Sequence, residues 1–498
     1  MPNSPTPAIA PVTRRWVGIG LVALAAYGVF LAERTSVVAG GSDTSGYLNS
    51  ARLLASGRLQ TEQRIPAEFN PQAQLHREHF MPLGFVALKD NPHLPPTYPV
   101  GLPLHFAVAG KLFGWTVGPL LVEVGLTLAA VWLCAAIARK LGIDPWLATA
   151  GAVTLAVFPV FLFTSLQPLS DTPATTWCLA TVWLALRARQ GRGWAIACGA
   201  AFAMAVFVRA TNAVLLPALL VLLGTDWKRL ALATVGGLPG AAWLAYYNHT
   251  LYGGALRSGY GAIEETFRWQ YGPPTLVHFG YWLAVLAPAV LLALPFAAPW
   301  RRRPRELVAL LLWFGAIVGV YTFYEISHET WWCLRFILPA FPPLILVGLL
   351  ALGRLSLRAR RVSAVALAVW ALACSGYWSM HLHALRPKEH ESDYAEASAK
   401  ARELFPPNAL VASFYVSGAL YYYTDFPVLR WELIEGKEFI RYATLAQAAG
   451  RPIYAILFDG LEDEARRARM PGEWSRIGTV NRIGLWQLVG LPTGPRAL

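Results

Sequence analysis

The chain has 498 residues, 55% of them hydrophobic and only 14% charged, with a formal net charge of +13. Soluble domains carry roughly 25% charged residues, so a soluble globular class is excluded. Nucleic-acid binding is excluded too, because the basic residues sit in short clusters between apolar runs of about 20 residues, with no zinc-finger spacing, base-reading helix or RNA-binding signature.

Twenty Trp and nineteen Tyr suit long water–lipid boundaries, where amphipathic rings collect. The five cysteines, Cys134, Cys178, Cys198, Cys333 and Cys374, form no Cys-x-x-Cys and read as small apolar residues rather than as a disulfide framework.

Arg14-Arg15 precedes a first apolar run, Trp16 to Ala32, which reads as a retained signal anchor. A long outer loop, 33–98, follows. Pro99 to Gly114 is apolar but short and reads as a re-entrant or interfacial segment. From there hydropathy and basic loops carry the chain through about eleven spans in all. Basic clusters at 14–15, 139–140, 187–192, 228–229, 301–305 and 354–361 fall on one side at every crossing, as the positive-inside rule requires.

Residues 1–386 therefore read as a polytopic α-helical membrane domain, and 387–498 as a small α/β soluble domain on the outer side. Its predicted elements are a helix at Asp393–Leu404, strands at Ala409–Phe414 and Ile453–Phe458, a charged helix at Glu462–Arg469 and a strand at Gly484–Val489.

The stretch with most chemical promise is Gly40-Gly41-Ser42-Asp43-Thr44-Ser45-Gly46-Tyr47, between the first apolar run and a predicted helix at Leu48–Ser56. Asp43 and Asp171 are both expected where a span meets outer water. A pair of carboxylates divides the work of a group transfer, one taking a proton and the other positioning an acceptor. The plainer alternative for each is helix capping. Lys89, Arg209, Arg257 and Arg335 are predicted at or near the outer boundary, where cations bind phosphate by charge-assisted hydrogen bonds. Snorkelling or a structural ion pair is the alternative for them.

Tyr47, Tyr98, His249 and His328 are expected to line the substrate pocket. His76-Arg77-Glu78-His79 lacks the zinc-protease spacing, so no metal is indicated there, although three ligand residues (His, Glu and His) stand within one turn. Neither a phosphate-binding Gly-rich loop nor a Gly-x-Ser-x-Gly elbow is present, and no cofactor is expected.

Taken in order, the chain resembles the GT-C superfamily of integral-membrane glycosyltransferases, in the branch of protein O-mannosyltransferases and lipid A aminoarabinose transferases. Six features carry the resemblance over residues 14–383. They are Asp43 after the first span, Lys89 in the long first loop, Pro95-Pro96-Thr97-Tyr98-Pro99, Ser170-Asp171-Thr172-Pro173, the hairpin at Arg209, and Leu334-Arg335-Phe336-Ile337-Leu338-Pro339-Ala340.

The resemblance implies inverting transfer of a hexosyl or pentosyl group from a polyprenyl-phosphate donor to a lipid, glycan or protein acceptor. The reaction would lie at the outer face of the bacterial cytoplasmic membrane. Asp43 would match the first-loop catalytic acidic residue and Asp171 the second-loop carboxylate, with Lys89 and Arg335 near the donor phosphate. In one respect the chain departs from many members, which have adjacent acidic residues where it reads Gly41-Ser42-Asp43-Thr44. Two other classes stay open at this level: a transporter or flippase of lipid-linked sugars, with Glu123 at depth, and an inactive relative whose outer domain binds envelope glycans.

Overall fold

The computed structural model describes residues 14–69, 76–89, 91–261, 266–461 and 464–492. The chain forms two compact units, each described by itself. One comprises the N-terminal residues through Thr35, Leu120–Tyr246 and Gly261–Pro387; the other comprises Ser36–Pro119, Tyr247–Tyr260 and Lys388–Leu498. The second unit thus takes in both the long first loop and the C-terminal residues, which the sequence alone separates.

Among the described residues, four helices are long and apolar enough to cross a membrane: Gly101–Lys140, Pro304–Thr322, Trp331–Leu352 and Leu357–His381. A fifth arises if Pro145–Val157 and Pro159–Ser165, bent by 60°, count as one span. The bend falls at Phe158, ahead of Pro159, whose ring lacks an N–H and disfavours helix in the residue before it.

These helices make the chain a multi-pass membrane protein. The expected eleven comes from hydropathy windows; full-length helices are fewer because proline and glycine divide several apolar runs. Trp194–Val208 and Ala210–Leu223 are likewise separate short helices, but they part at Arg209, where the backbone is extended. The apolar piece expected to be re-entrant, Pro99 to Gly114, instead opens the helix Gly101–Lys140, which breaks at Gly114 where φ is 81°.

Four basic clusters of the first unit, at 139–140, 187–192, 228–229 and 301–305, lie together at one end. Arg189 pairs with Glu306 at 3.0 Å and Arg192 with Asp226 at 3.2 Å, while Lys140 donates to Gln190 at 2.8 Å. Arg305 donates to the carbonyl of Val221 at 2.6 Å. The helix Asp171–Ala188 runs from this end to Asp171, about 27 Å away at 1.5 Å per residue.

In the second unit a five-stranded sheet has the order β2-β1-β3-β5-β4. Its strands are β1 (Leu410–Ser413), β2 (Val428–Leu429), β3 (Ile453–Phe458), β4 (Glu473–Val480) and β5 (Ile483–Gly490). β1 runs parallel to β2 and β3, and β5 antiparallel to β3 and β4. The three expected strands are β1, β3 and β5. β2 has two residues, too few for a periodic signal, and β4 is a polar strand at the sheet edge with two register shifts. The charged helix expected from Glu462 is described from Glu464 to Arg469; residues 462–463 lie outside the described residues.

The helix expected at Leu48–Ser56 spans Ser42–Ala55, so Asp43 stands in its first turn and not in a loop before it. An acidic residue there is favoured by the positive end of the helix dipole. Gly46 has no room for a side chain, since a Cβ would meet the Tyr98 ring and the backbone of Gly84. Gly84 in turn has φ of +92° and faces the Gly46 backbone. Gly84→Ala therefore combines a left-handed backbone with overpacking, and is expected to destabilise the second unit by about 2–4 kcal/mol, read by tryptophan fluorescence during denaturation.

Candidate functional site

Two polar clusters contain most of the expected residues, one in each unit. In the second unit the Asp43 helix begins at Gly41, an extended residue whose position has no side-chain cap. The capping role considered for Ser42 or Asp43 is thus not what these side chains do. Ser42 Oγ lies 2.7 Å from Tyr98 Oη, and Tyr98 also hydrogen-bonds to Asp43. A carboxylate only accepts, so Tyr98 O–H donates to Asp43 and leaves Ser42 O–H to donate to Tyr98.

Burial, then the Asp43 charge, push the Tyr98 phenol well above its ordinary range, so it remains a donor at any working pH. Tyr98 stacks obliquely on Tyr47 at 4.9 Å and meets the edge of Tyr260 at 6.0 Å. Asp43 itself is half-buried.

The approach to this helix is tied down by the C-terminal residues of the same unit. Gly41 N–H donates to Glu391 Oε2 at 3.0 Å, and Thr44 Oγ1 donates to the same oxygen at 2.6 Å. Ala39 N–H donates to Tyr423 Oη at 3.0 Å, and Asn49 donates to the carbonyl of Gly418 at 3.0 Å. Sequence reasoning missed Glu391 and Tyr423. Glu391 lies on a charged helix, Pro387–Leu404, that resembles any solvated helix, and its bond to Gly41 spans 350 residues.

In the first unit Asp171 is 1% exposed and opens its helix with no side-chain cap bond at Ser170. Its carboxylate is engaged elsewhere. Arg209 Nη2 approaches Oδ1 at 2.5 Å, and Arg335 Nη1 lies 3.8 Å from Oδ2. Arg209 also reaches Ser170 Oγ and the Phe336 carbonyl, both at 3.4 Å. Both guanidinium groups lie against the ring of Phe336, at 6.0 Å and 5.0 Å from its centre. Arg209 takes this place because the chain turns extended there, between the helix Trp194–Val208 and the turn Ala210–Leu215. Two guanidinium groups thus converge on one carboxylate.

Glu123 is fully buried in the same unit, and neither carboxylate oxygen has a hydrogen-bond partner among the described residues.

Lys89, Arg257 and His249 are exposed. His328 is half-buried, with Nδ1 3.5 Å from Thr275 Oγ1. His76, Glu78 and His79 bring ligand atoms within 4.8 Å of one another. Of these, His79 is buried with Nδ1 3.0 Å from Tyr442 Oη, and burial lowers its proton affinity. Among the described residues, these three form a group with the donor set for a cation.

Residues 94–246 match the family described as Dolichyl-phosphate-mannose-protein mannosyltransferase. No curated protein matches the chain in sequence. In fold the chain is similar to ArnT from Cupriavidus metallidurans bound to undecaprenyl phosphate, with a TM-score of 0.59 at 16% identity over 97% of this chain and 100% of that one. An oligosaccharyltransferase of Archaeoglobus fulgidus, tethered with an acceptor peptide, matches with a TM-score of 0.59 at 13% identity, covering 90% of this chain and 70% of that one. Arabinofuranosyltransferase AftD from Mycobacteria gives 0.54 at 14% identity, covering 97% of this chain and 40% of that one.

Proposed function

We propose that this chain, which resembles the GT-C superfamily by sequence over residues 94–246 and by fold over nearly its whole length, is an inverting glycosyltransferase. It takes a sugar from a polyprenyl-phosphate donor to an acceptor at the outer face of the bacterial cytoplasmic membrane. The observation that carries the reading is Asp43: a half-buried carboxylate in the first turn of a helix, oriented by a phenol that stays protonated.

In this reading Asp43 accepts the proton of the acceptor nucleophile as its lone pair attacks the anomeric carbon. The bond from that carbon to the phosphate oxygen breaks, and its electron pair leaves on the phosphate. One displacement inverts the centre. Within the first unit taken by itself, Arg209 and Arg335 are the cations suited to hold a phosphate, since a preorganised cation stabilises charge as it develops. Asp171 keeps the two guanidinium groups in place before substrate arrives. Tyr47 and Tyr98, expected to line the substrate pocket, are buried at 3% and 9% exposure and pack on each other, so they support Asp43 and present no ring face to a sugar; the bilayer holds the lipid tail.

The test is transfer by purified protein with a panel of polyprenyl-phosphate hexoses and pentoses, following release of free polyprenyl phosphate and the anomeric configuration of the product. Release with inversion supports the proposal; release with retention of configuration overturns the single displacement.

Glu123 favours a second reading, transport of lipid-linked sugar, because an unpaired carboxyl deep in a membrane protein marks ion routes. The two readings part on Glu123→Gln. The enzyme is expected to keep transfer within about threefold, since an amide replaces the carboxyl with no hydrogen bond lost. A proton-coupled flippase would lose translocation in liposomes.

A further inference from the structure

We propose that Glu391, from the C-terminal helix Pro387–Leu404, is a positioning residue for Asp43. It clamps the Gly40–Thr44 turn, so that the charge and place of Asp43 depend on the C-terminal domain. The inference rests on the reading of Asp43 as the base and adds a residue that no pattern in the sequence assigns.

The geometry is specific. A helix start leaves its first N–H groups without intrahelical acceptors, and a residue at the cap ordinarily supplies one from its own side chain. Here the cap residue is Gly41, which has no side chain to offer. Glu391 instead plays, from another part of the chain, the part that a first-turn Glu plays in a capping box, accepting from the cap residue's own N–H at Gly41 and from Thr44 Oγ1 with a single oxygen. Gly40 is required beside it, since a Cβ there would fall on the Glu391 carboxylate.

Tyr423 supports the same turn by accepting from Ala39 N–H. Gly418 lies against Ser45, where a Cβ would meet the hydroxyl. The segment on both sides of Asp43 is therefore held at Ala39, Gly41 and Thr44, all by residues after 390.

The charges that face Glu391 are few. Asp43 approaches it from the helix it clamps, Tyr394 from its own helix and Tyr423 from the helix Ser417–Tyr423. Burial, and secondarily the Asp43 charge, raise its carboxyl to about 7, against the bonds from Thr44 and Gly41. Below that pH Glu391 is neutral and its acceptor bonds are weaker. Above it, the bonds become charge-assisted and its charge makes Asp43 more basic. Transfer is thus expected to rise as pH passes through about 7.

The experiment compares full-length wild type, Glu391→Ala, Glu391→Gln and Asp43→Asn in nanodiscs, by transfer kinetics across pH and by hydrogen exchange of the segment 39–47. Glu391→Ala is expected to lower kcat about tenfold to a hundredfold with donor KM little changed, as a misplaced reacting group does. Its 39–47 segment should exchange faster, while the sheet keeps its protection. Glu391→Gln still accepts from Gly41 and Thr44. It should keep the segment protected yet lose the rise near pH 7, which a purely structural role would not remove.

Wild-type exchange in both Glu391 variants overturns the clamp, whatever the kinetics. A rise near pH 7 that persists in Glu391→Gln overturns the electrostatic part. If Asp43→Asn transfers at the wild-type rate while Glu391→Ala loosens the segment, the clamp stands and the assignment of the base falls. The exchange readout needs no turnover, so it decides the clamp even with an unsuitable donor.

Discussion

Asp43→Asn is expected to lower transfer by about 10²–10⁴-fold, the usual contribution of a positioned general base. The substitution is close to isosteric. The amide oxygen still accepts from Tyr98 O–H, and the Ser42–Tyr98 contact at 2.7 Å does not involve the altered atom. The helix also keeps its start at Gly41, which owes nothing to the Asp43 side chain. What disappears is the proton acceptor. Donor binding should therefore persist, visible as unchanged KM, while kcat falls. Folding is checked by unaltered thermal unfolding. A variant that transfers at the wild-type rate would remove Asp43 from the chemistry and move the search for a base elsewhere in the second unit.

The largest effect on stability is expected at Asp171. Its carboxylate is 1% exposed and engages Arg209 and Arg335, whose side chains are 11% and 12% exposed. Removing one member of such a group leaves uncompensated buried charge, and Asp171→Ala is expected to cost about 3–5 kcal/mol. Cys178 and Cys333, both fully buried, flank the site in sequence and report the loss. Their reaction with a thiol dye on heating should begin at a lower temperature than in wild type.

A double variant separates stability from chemistry. Asp171→Leu with Arg209→Met leaves one buried cation, Arg335, in place of two and should recover part of the lost stability, as apolar replacement of a buried pair does. It should not recover transfer if Arg209 holds the leaving phosphate. Recovery of both would assign Arg209 a structural role alone.

Several elements were legible before any coordinates. The membrane class follows from apolar runs and scarce charge, because hydropathy over about 20 residues is a local property. β1, β3 and β5 were legible as apolar runs bounded by turns. Asp43 and Asp171 stood out because each adjoins an apolar run beside glycine, serine or proline. The resemblance to membrane glycosyltransferases arose from the order of six short motifs, and the fold carries the same likeness.

Other features belong to the tertiary structure alone. Sequence placed Arg209 and Arg335 near a phosphate, yet only packing shows that both first meet Asp171, 38 and 164 residues away along the chain. The start of the Asp43 helix was misjudged because its cap is not in the local sequence: Gly41 offers no side chain, and the acceptor arrives as Glu391. Hydropathy and dipole effects act within a few residues and leave a trace in composition. A hydrogen bond between residues 350 positions apart leaves none, since either partner alone reads as an ordinary glycine or a solvated glutamate.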